Sequence, residues 1–379
     1  MLPTTTIIDV SQAGLPQIPG LILSAATVAS SLDQTPQPLL IGVPEALDPG
    51  VPTPLLVGLH TWSADYLQMV GQFAPLCAQY GWLMVLPHFR GPNLDTNPDA
   101  VQAGASLAAQ RDVVDAVHHL QRHYAVDDTR LYLLGGSGGG HMALMMAGKY
   151  PDLWAGVSAW CPVTDLRDWY EQGNAYAPHL AAVCGGIPDA SAAVDFEYLR
   201  RSPRTFLANA ANTNLQIAHG DKDPVIWVTQ TWQTYEVLRP WPHRAEFASW
   251  SGGHDLLPDR GFQWLAQQVK PLGPPLRQTV VSDEGKWYYW LYLQPAAPLT
   301  LARCEAAWTG LPKLPDAPPP TLTLQVEHSA VTRLRLSDLG LGQPSGVTRQ
   351  ARPCTDYHLD GGLLELPPAA ERTEYVFTF

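Results

Sequence analysis

Between residues 38 and 271 the sequence alternates short apolar runs with longer segments of helical periodicity. Parallel strands need a crossover segment between them, so this alternation predicts a mostly parallel, doubly wound sheet covered by helices. Several of the runs are almost wholly apolar, as strands buried on both faces are. The predicted strands are 39–43, 55–60, 83–88, 131–135, 156–161, 215–219 and 245–250.

The segments between these strands define the rest of an α/β domain at 38–271. Apolar residues recur at helical spacing in 105–124, 141–150, 225–238 and 261–269, which predicts the crossover helices. The stretch 165–214 interrupts this rhythm with polar, aromatic and proline residues, and we expect a cap-like excursion above the sheet. Residues 1–37 are expected to form an N-terminal extension on the surface.

A change in composition after residue 271 predicts a second domain. Prolines follow closely at 271, 274 and 275, and period-two alternation then appears in 286–294, 321–328 and 331–336. Residues 276–379 are therefore expected to form a small, sandwich-like β domain. The proline-rich piece 311–320 is expected to be a loop within it.

Charge and cysteine content exclude several classes of function. The formal net charge of −12 provides no basic field for nucleic acid, and no run of apolar residues reaches the roughly 18 needed to cross a bilayer. No leader pattern is visible, so we expect a cytoplasmic protein, and secretion stays open if a leader has been removed. The five cysteines include no CxxC pair, so neither a zinc site nor a disulfide scaffold is expected, although pairing of Cys161 with Cys184 stays open.

The most specific chemical signal is Gly135-Gly136-Ser137-Gly138-Gly139, a G-x-S-x-G element between the predicted strand 131–135 and a helix. Small residues let strand and helix approach closely at so sharp a turn. A serine there is exposed as a nucleophile, and the helix that follows points its N–H groups at a developing oxyanion. We predict Ser137 as the nucleophile and the Gly138 N–H as an oxyanion donor.

A serine nucleophile needs a histidine base, and the base needs a carboxylate that fixes its tautomer. Asp223 follows the predicted strand 215–219, and His254 follows the predicted strand 245–250, so both lie where strand ends meet. Asp223 is our choice for the acid over its rival Asp221, which could instead cap the next helix. His219 ends its strand and is expected to have a structural role.

Further residues near strand ends are candidates for binding. The backbone N–H of Trp62 follows the predicted strand 55–60 and is expected to be the second oxyanion donor. The side chains of Trp62, His141 and Trp160 are candidate substrate contacts, against the alternative that such aromatic groups only pack the core. Arg90 is expected to order its loop first and to contact substrate second.

Residues 50–270 resemble the α/β-hydrolase superfamily, in particular the catalytic domain of the prolyl oligopeptidase (S9) family and its esterase relatives. The resemblance is carried by 135–139, by His219-Gly-Asp-Lys-Asp-Pro-Val225 and by Gly253-His254. It implies a Ser137, Asp223 and His254 triad. The usual His-Gly of the oxyanion strand reads His60-Thr61 here, and no propeller fits before residue 50, which favours an esterase over an oligopeptidase.

These features lead to one main interpretation and two alternatives. The main one is a serine carboxylic ester hydrolase that works through an acyl-enzyme on small, aryl or acylated-carbohydrate esters, with no metal or cofactor. A serine peptidase is the second, and it would need an acid for the substrate's amino terminus; Asp165, Asp168 and Glu171 are the candidates. The third is a hydrolase-like domain whose β domain binds carbohydrate. Self-association stays open.

Overall fold

The computed structural model describes residues 6–8, 14–240, 244–273, 275–309 and 319–379, without the side chains of 6–8. Its helices are α1 Val70–Tyr80, α2 Leu107–His123, α3 Gly138–Lys149, α4 Leu166–Glu171, α5 Ala177–Cys184, α6 Ala192–Arg200, α7 Thr229–Leu238 and α8 Pro258–Leu265. The strands of the larger sheet are β1 Thr6–Ile8, β2 Leu21–Ala29, β3 Pro36–Pro44, β4 Thr53–Leu59, β5 Leu83–Pro87, β6 Val126–Gly136, β7 Gly156–Trp160, β8 Asn214–Gly220 and β9 Arg244–Trp250.

The larger sheet has nine strands in the order β1-β2-β3-β5-β4-β6-β7-β8-β9. The six strands from β5 to β9 in this order run parallel, whereas β1, β2 and β3 join antiparallel at one edge. All seven strands predicted from the sequence are present, so the prediction of a mostly parallel α/β fold is confirmed. Strands β6, β8 and β9 all belong to the parallel part of the sheet, so the loops after them lie at the same edge.

The C-terminal region forms two antiparallel sheets. The strands are β10 Arg277–Ser282, β11 Lys286–Tyr288, β12 Leu291–Pro295, β13 Ala302–Trp308, β14 Thr321–Glu327, β15 Ser329–Arg335, β16 Gly346–Arg349, β17 Arg352–Pro353, β18 His358–Asp360, β19 Leu363–Leu366 and β20 Thr373–Thr378. They pair in the orders β10-β13-β14-β20-β16-β17 and β11-β12-β15-β19-β18 around one apolar core. A separate β domain was expected here, and it is confirmed. The predicted loop at 311–320 lies almost wholly outside the described residues.

The structure differs from the sequence prediction in three places. Residues 21–29, expected to lie on the surface as part of an extension, form β2 and pair with β3 along nine residues. Helix α1 was not predicted; its apolar residues pack on the sheet, and Pro75 within it weakens the helical pattern. The excursion after β7 is mainly helical, with α4, α5 and α6 packed on a small apolar cluster.

A buried charge cluster joins the β domain to the larger one. Asp283 forms an ion pair with Lys149, the last residue of α3, and a second one with Arg200, the last residue of α6, at 2.7 Å. The side chains of Asp283 and Lys149 are almost completely buried, with exposed fractions of 1% and 0%. Glu284 adds a contact to Lys149 at 3.1 Å. Asp283 thus connects α3 and α6 to the β domain.

Replacing Asp283 with alanine is expected to lower the free energy of unfolding by about 3–5 kcal/mol, because Lys149 keeps its buried charge but loses its main counter-charge. Denaturant unfolding followed by tryptophan fluorescence measures the change. Glu365→Gln is the matched control, since it removes one partner of an exposed pair with Arg333 at 2.6 Å, which is worth at most about 1 kcal/mol. Equal stability of the two variants would contradict a structural role for the cluster.

Candidate active site

Ser137 lies at a sharp turn between β6 and α3, with φ 56° and ψ −121°. Few residues other than glycine adopt such a conformation, and it costs conformational energy that the surrounding structure must offset. The Ser137 N–H donates to the carbonyl of Trp160 at 2.8 Å, which ties the turn to β7. A Cβ on Gly135 would lie 2.4 Å from the carbonyl of Gly139, so only glycine fits there.

The backbones of Gly138 and Trp62 are in direct contact beside this turn. A Cβ on Gly138 would lie 2.4 Å from the nitrogen of Trp62 and 2.5 Å from its Cα, so a side chain at 138 would enter the loop after β4. Among the described residues, neither of the two N–H groups donates a hydrogen bond. Gly138 is the first residue of the twelve-residue helix α3, and Trp62 lies beside it on the loop after β4. Both N–H groups are therefore available to a developing negative charge.

Asp223 and His254 form the second half of the arrangement. The His254 Nδ1–H donates to Oδ2 of Asp223 at 2.7 Å. The other carboxylate oxygen, Oδ1, accepts from the N–H groups of Val225 and Ile226 at 2.8 and 3.0 Å. Both oxygens of a fully buried carboxylate are therefore held in place, while the side chain of His254 stays 22% exposed.

The electrostatics of Asp223 favour its ionised form. Burial acts to raise the pKa of this carboxyl, but hydrogen bonds from His219, His254 and the Ile226 N–H outweigh burial and hold the pKa well below its usual range. An ionised Asp223 can accept only, so it fixes the proton of His254 on Nδ1. Nε2 of His254 is then left unprotonated and able to act as a base.

The rival acid Asp221 has a different role. Its side chain is exposed and accepts a hydrogen bond from the Gly252 N–H at 3.2 Å. It therefore links the loop after β8 to the loop that carries His254. The carboxylate that contacts His254 is that of Asp223.

Contacts between the loops bring the three predicted residues to one edge of the sheet. A Cβ on Gly220 would lie 2.2 Å from the carbonyl of Gly253, and one on Gly136 would lie 3.2 Å from Cβ of Leu256. Within the described residues no hydrogen bond joins the Ser137 hydroxyl to His254. Such catalytic contacts are often long before substrate binds and shorten in the complex.

Burial argues against three predicted substrate contacts. The side chains of Trp62, His141 and Trp160 are only 1–2% exposed. Nε2 of His141 lies 2.7 Å from the Arg201 carbonyl, and burial lowers the pKa of His141 to about 4, which keeps the ring neutral. The Trp160 indole donates to Ser158 at 2.9 Å. The rings of His141 and Trp160 are thus packed in the interior and are not accessible to a substrate.

The indole of Trp62 packs into the cap. Its ring meets that of Trp169 edge to face, with the centroids 5.0 Å apart, within the apolar cluster of α4, α5 and α6. The burial of the indole therefore argues against a substrate contact and favours the alternative that the ring packs the core. Its buried Nε1–H has no hydrogen-bond partner among the described residues. The backbone of Trp62, by contrast, reaches Gly138.

Arg90 is a structural residue, as its loop-ordering role predicts. Its guanidinium is bound by Asp112 at 2.6 Å and by Asp33 at 2.8 Å, and its side chain is 5% exposed. Asp33 is on the loop that connects β2 to β3. Arg90 therefore links the loop after β5 to the N-terminal strands. A guanidinium with both acids bound has little left to offer a substrate.

One group of side chains in the described part of the chain could hold a metal. Cys161, His219 and Asp223 place their ligand atoms within 4.8 Å of one another. His219 and Asp223 already use these atoms in hydrogen bonds, and burial raises the pKa of the Cys161 thiol to about 12. His219 in this group is thus a hydrogen-bond partner of Asp223. All five cysteines are free thiols.

Sequence reasoning missed that His219 contacts Asp223. It lies four residues before Asp223, at the end of β8, and its Nε2 approaches Oδ2 of Asp223 at 3.1 Å. The only available signal was a histidine at the end of a strand that leads to the acid. This signal does not distinguish a partner of the carboxylate from a core histidine.

Comparison with known proteins supports the fold and the class. Residues 70–249 match the family model of the prolyl oligopeptidase family. Feruloyl esterase B of Thermothelomyces thermophilus is 25% identical over 230 residues, which are 54% of this chain and 73% of that protein. The acylaminoacyl peptidase of Pyrococcus horikoshii matches with a TM-score of 0.55 and 16% identity over 68% of this chain and 43% of its own.

A smaller hydrolase matches over nearly its full length. The S-formylglutathione hydrolase of Agrobacterium tumefaciens has a TM-score of 0.51 and 17% identity over 67% of this chain and 98% of its own. The chain thus spans under half of the peptidase but almost all of this hydrolase. Among the described residues, no helix combines the length and the apolar character that crossing a membrane requires.

Proposed function

We propose that this chain is a serine carboxylic ester hydrolase of the α/β-hydrolase superfamily, among the relatives of the prolyl oligopeptidase family. The observation that carries the proposal is the geometry of the turn and the acid together. Ser137 has the strained backbone of a nucleophile between strand and helix, and His254 donates to a buried, ionised Asp223. Ser137, His254 and Asp223 are the proposed triad.

The proposed reaction has two halves. Ser137 Oγ attacks the ester carbonyl carbon while His254 Nε2 takes its proton, and the N–H groups of Gly138 and Trp62 donate to the resulting oxyanion. His254 returns the proton to the alcohol oxygen as the ester C–O bond breaks, which leaves an acyl-serine. Water, deprotonated by His254, then attacks the acyl carbon, and the acid departs as Ser137 regains its proton.

The ion pairs of the cap favour an ester over a peptide substrate. Peptidase activity at a free amino terminus would need an unpaired acid to bind the ammonium group. Arg204 binds Asp165 at 2.6 Å and Asp168 at 2.7 Å, and Arg167 binds Glu171 at 3.1 Å. The three candidate acids therefore already have arginine partners.

The relatives support a range of esters. Feruloyl esterase B is named for an aromatic acyl group, and S-formylglutathione hydrolase for a small acyl thioester. We therefore propose small, aryl or acylated-carbohydrate esters as the substrates of this chain. The acylaminoacyl peptidase neighbour keeps a serine peptidase as the second candidate.

Initial rates on p-nitrophenyl esters of increasing acyl length, beside aminoacyl p-nitroanilides, test the proposal, with Ser137→Ala as the blank. We expect ester turnover above the blank and negligible cleavage of the anilides. Efficient anilide cleavage would establish the peptidase instead. Activity toward neither series, in a folded protein, would contradict both candidates.

A further inference from the structure

A second histidine lies against the triad acid. His219 ends β8, and its side chain is completely buried. Its Nε2 is 3.1 Å from Oδ2 of Asp223 and 2.9 Å from the carbonyl of Ile226, and its Nδ1 is 2.8 Å from the hydroxyl of Thr231 on α7. Oδ2 of Asp223 is the same atom that accepts from His254 at 2.7 Å.

These contacts select one tautomer of His219. The Ile226 carbonyl and the ionised Asp223 are acceptors only, so the ring must carry its proton on Nε2. In the neutral ring Nδ1 is then an acceptor, which the Thr231 hydroxyl satisfies by donating. A neutral imidazole with its proton on Nε2 meets all three contacts, as a completely buried ring requires.

We propose that His219 is a positioning residue for catalysis, which holds Oδ2 of Asp223 against His254, and that Thr231 fixes the tautomer that allows it. The proposal rests on the proposed function of the Ser137, Asp223 and His254 triad. His219 touches neither the substrate nor Ser137 in this scheme. It acts through the orientation and the charge of the carboxylate.

The surroundings of Asp223 make this role specific. Oδ1 is held by two backbone N–H groups, whereas among the described residues the hydrogen bonds to Oδ2 come from the two imidazoles. The titratable groups that face the carboxylate are His219 from β8, His254 from the loop after β9 and Cys161 from the end of β7. With the His219 donor removed, Oδ2 loses one of its two restraints and shares its negative charge with His254 alone.

Two expected effects follow for an enzyme without the His219 donor. A less restrained carboxylate orients His254 less well, so kcat falls by about 10- to 100-fold, the loss expected for one hydrogen bond to a charged group. A carboxylate that is less stabilised attracts the His254 proton more strongly, so the acid limb of kcat/KM moves to higher pH by about half a unit or more. KM stays nearly constant, because the substrate is not contacted.

Four variants test the proposal by kcat, KM and the pH profile of ester hydrolysis. His219→Phe removes the donor, and His219→Gln keeps an N–H near the position of Nε2 and is expected to restore both kcat and the acid limb toward wild type. Thr231→Val removes the hydroxyl that donates to Nδ1 of His219, so the tautomer of His219 is no longer fixed. We expect it to change kcat and the acid limb in the same direction as His219→Phe, but by less. Thr234→Val is the matched control, because its buried hydroxyl donates to Gln230 on the same helix and not to His219.

The outcomes separate this proposal from a merely structural role and from failure of the proposed function. A folded His219→Phe variant with unchanged kcat and an unchanged acid limb would overturn the proposal. If that variant does not fold, Thr231→Val decides, and a pH profile equal to that of Thr234→Val would overturn it. Absence of ester turnover in the wild type, or turnover that survives Ser137→Ala, contradicts the proposed function instead.

Discussion

Replacing Ser137 with alanine is expected to lower kcat for ester hydrolysis by about 10⁵- to 10⁶-fold, because the acyl-enzyme can no longer form. A small residual rate above water should remain, since the N–H groups of Gly138 and Trp62 still stabilise an oxyanion. The fold should be retained, because alanine loses no hydrogen bond that the structure shows for the Ser137 hydroxyl. Steady-state rates and labelling by a fluorophosphonate, which needs the serine oxygen, measure the two consequences.

Ser251→Ala is the matched control for this variant. Ser251 is an exposed serine three residues before His254, in the loop that carries the base. We expect the Ser251→Ala enzyme to keep wild-type turnover and to be labelled normally. Ester hydrolysis that survives in Ser137→Ala, at an unchanged stability, would show that the nucleophile lies elsewhere.

Replacing Asp223 with asparagine is expected to lower kcat by about 10⁴-fold, because the base is then held in the wrong tautomer. The two backbone N–H groups at Oδ1 can only donate, so the asparagine oxygen must take that place and its NH₂ must face His254. Nδ1 of His254 then accepts, the ring proton moves to Nε2, and no base faces Ser137.

The rival acid provides the control for Asp223→Asn. Asp221→Asn changes an exposed carboxylate two residues away and should leave kcat nearly unchanged. The wild-type pH profile gives a second check: since the pKa of Asp223 lies well below its usual range, Asp223 is expected to add no acid limb of its own near neutral pH. An Asp221→Asn enzyme as impaired as Asp223→Asn would contradict the choice of acid.

Local patterns in the sequence were enough to predict most of the fold and the order of the site. The turn at Ser137 is visible because its glycines, strand and helix are all adjacent in the chain. Asp223 and His254 were predicted because each follows an apolar strand, and parallel strands end at one edge. The exact strand limits vary by a few residues, as at β6, which begins at Val126.

The features that the sequence did not predict depend on distant partners. The burial of His141 depends on the carbonyl of Arg201, sixty residues away, and that of the Trp62 indole on Trp169. Strand β2 lacks the continuous apolar run of a central strand, because it joins the sheet near its antiparallel edge. Periodicity reports which face of an element is apolar but not which element covers it.

Asp283 also limits how far this chain can be shortened. A version that ends with the larger sheet would leave Lys149, at the end of the helix that begins beside Ser137, as a buried cation without Asp283 and Glu284, its ion-pair partners among the described residues. The same cut would remove Asp283 from Arg200 of α6, which would then keep only its weaker contact with Glu197 at 3.4 Å among the described residues. We therefore expect a shortened chain to be less stable than the full chain unless it retains the β domain.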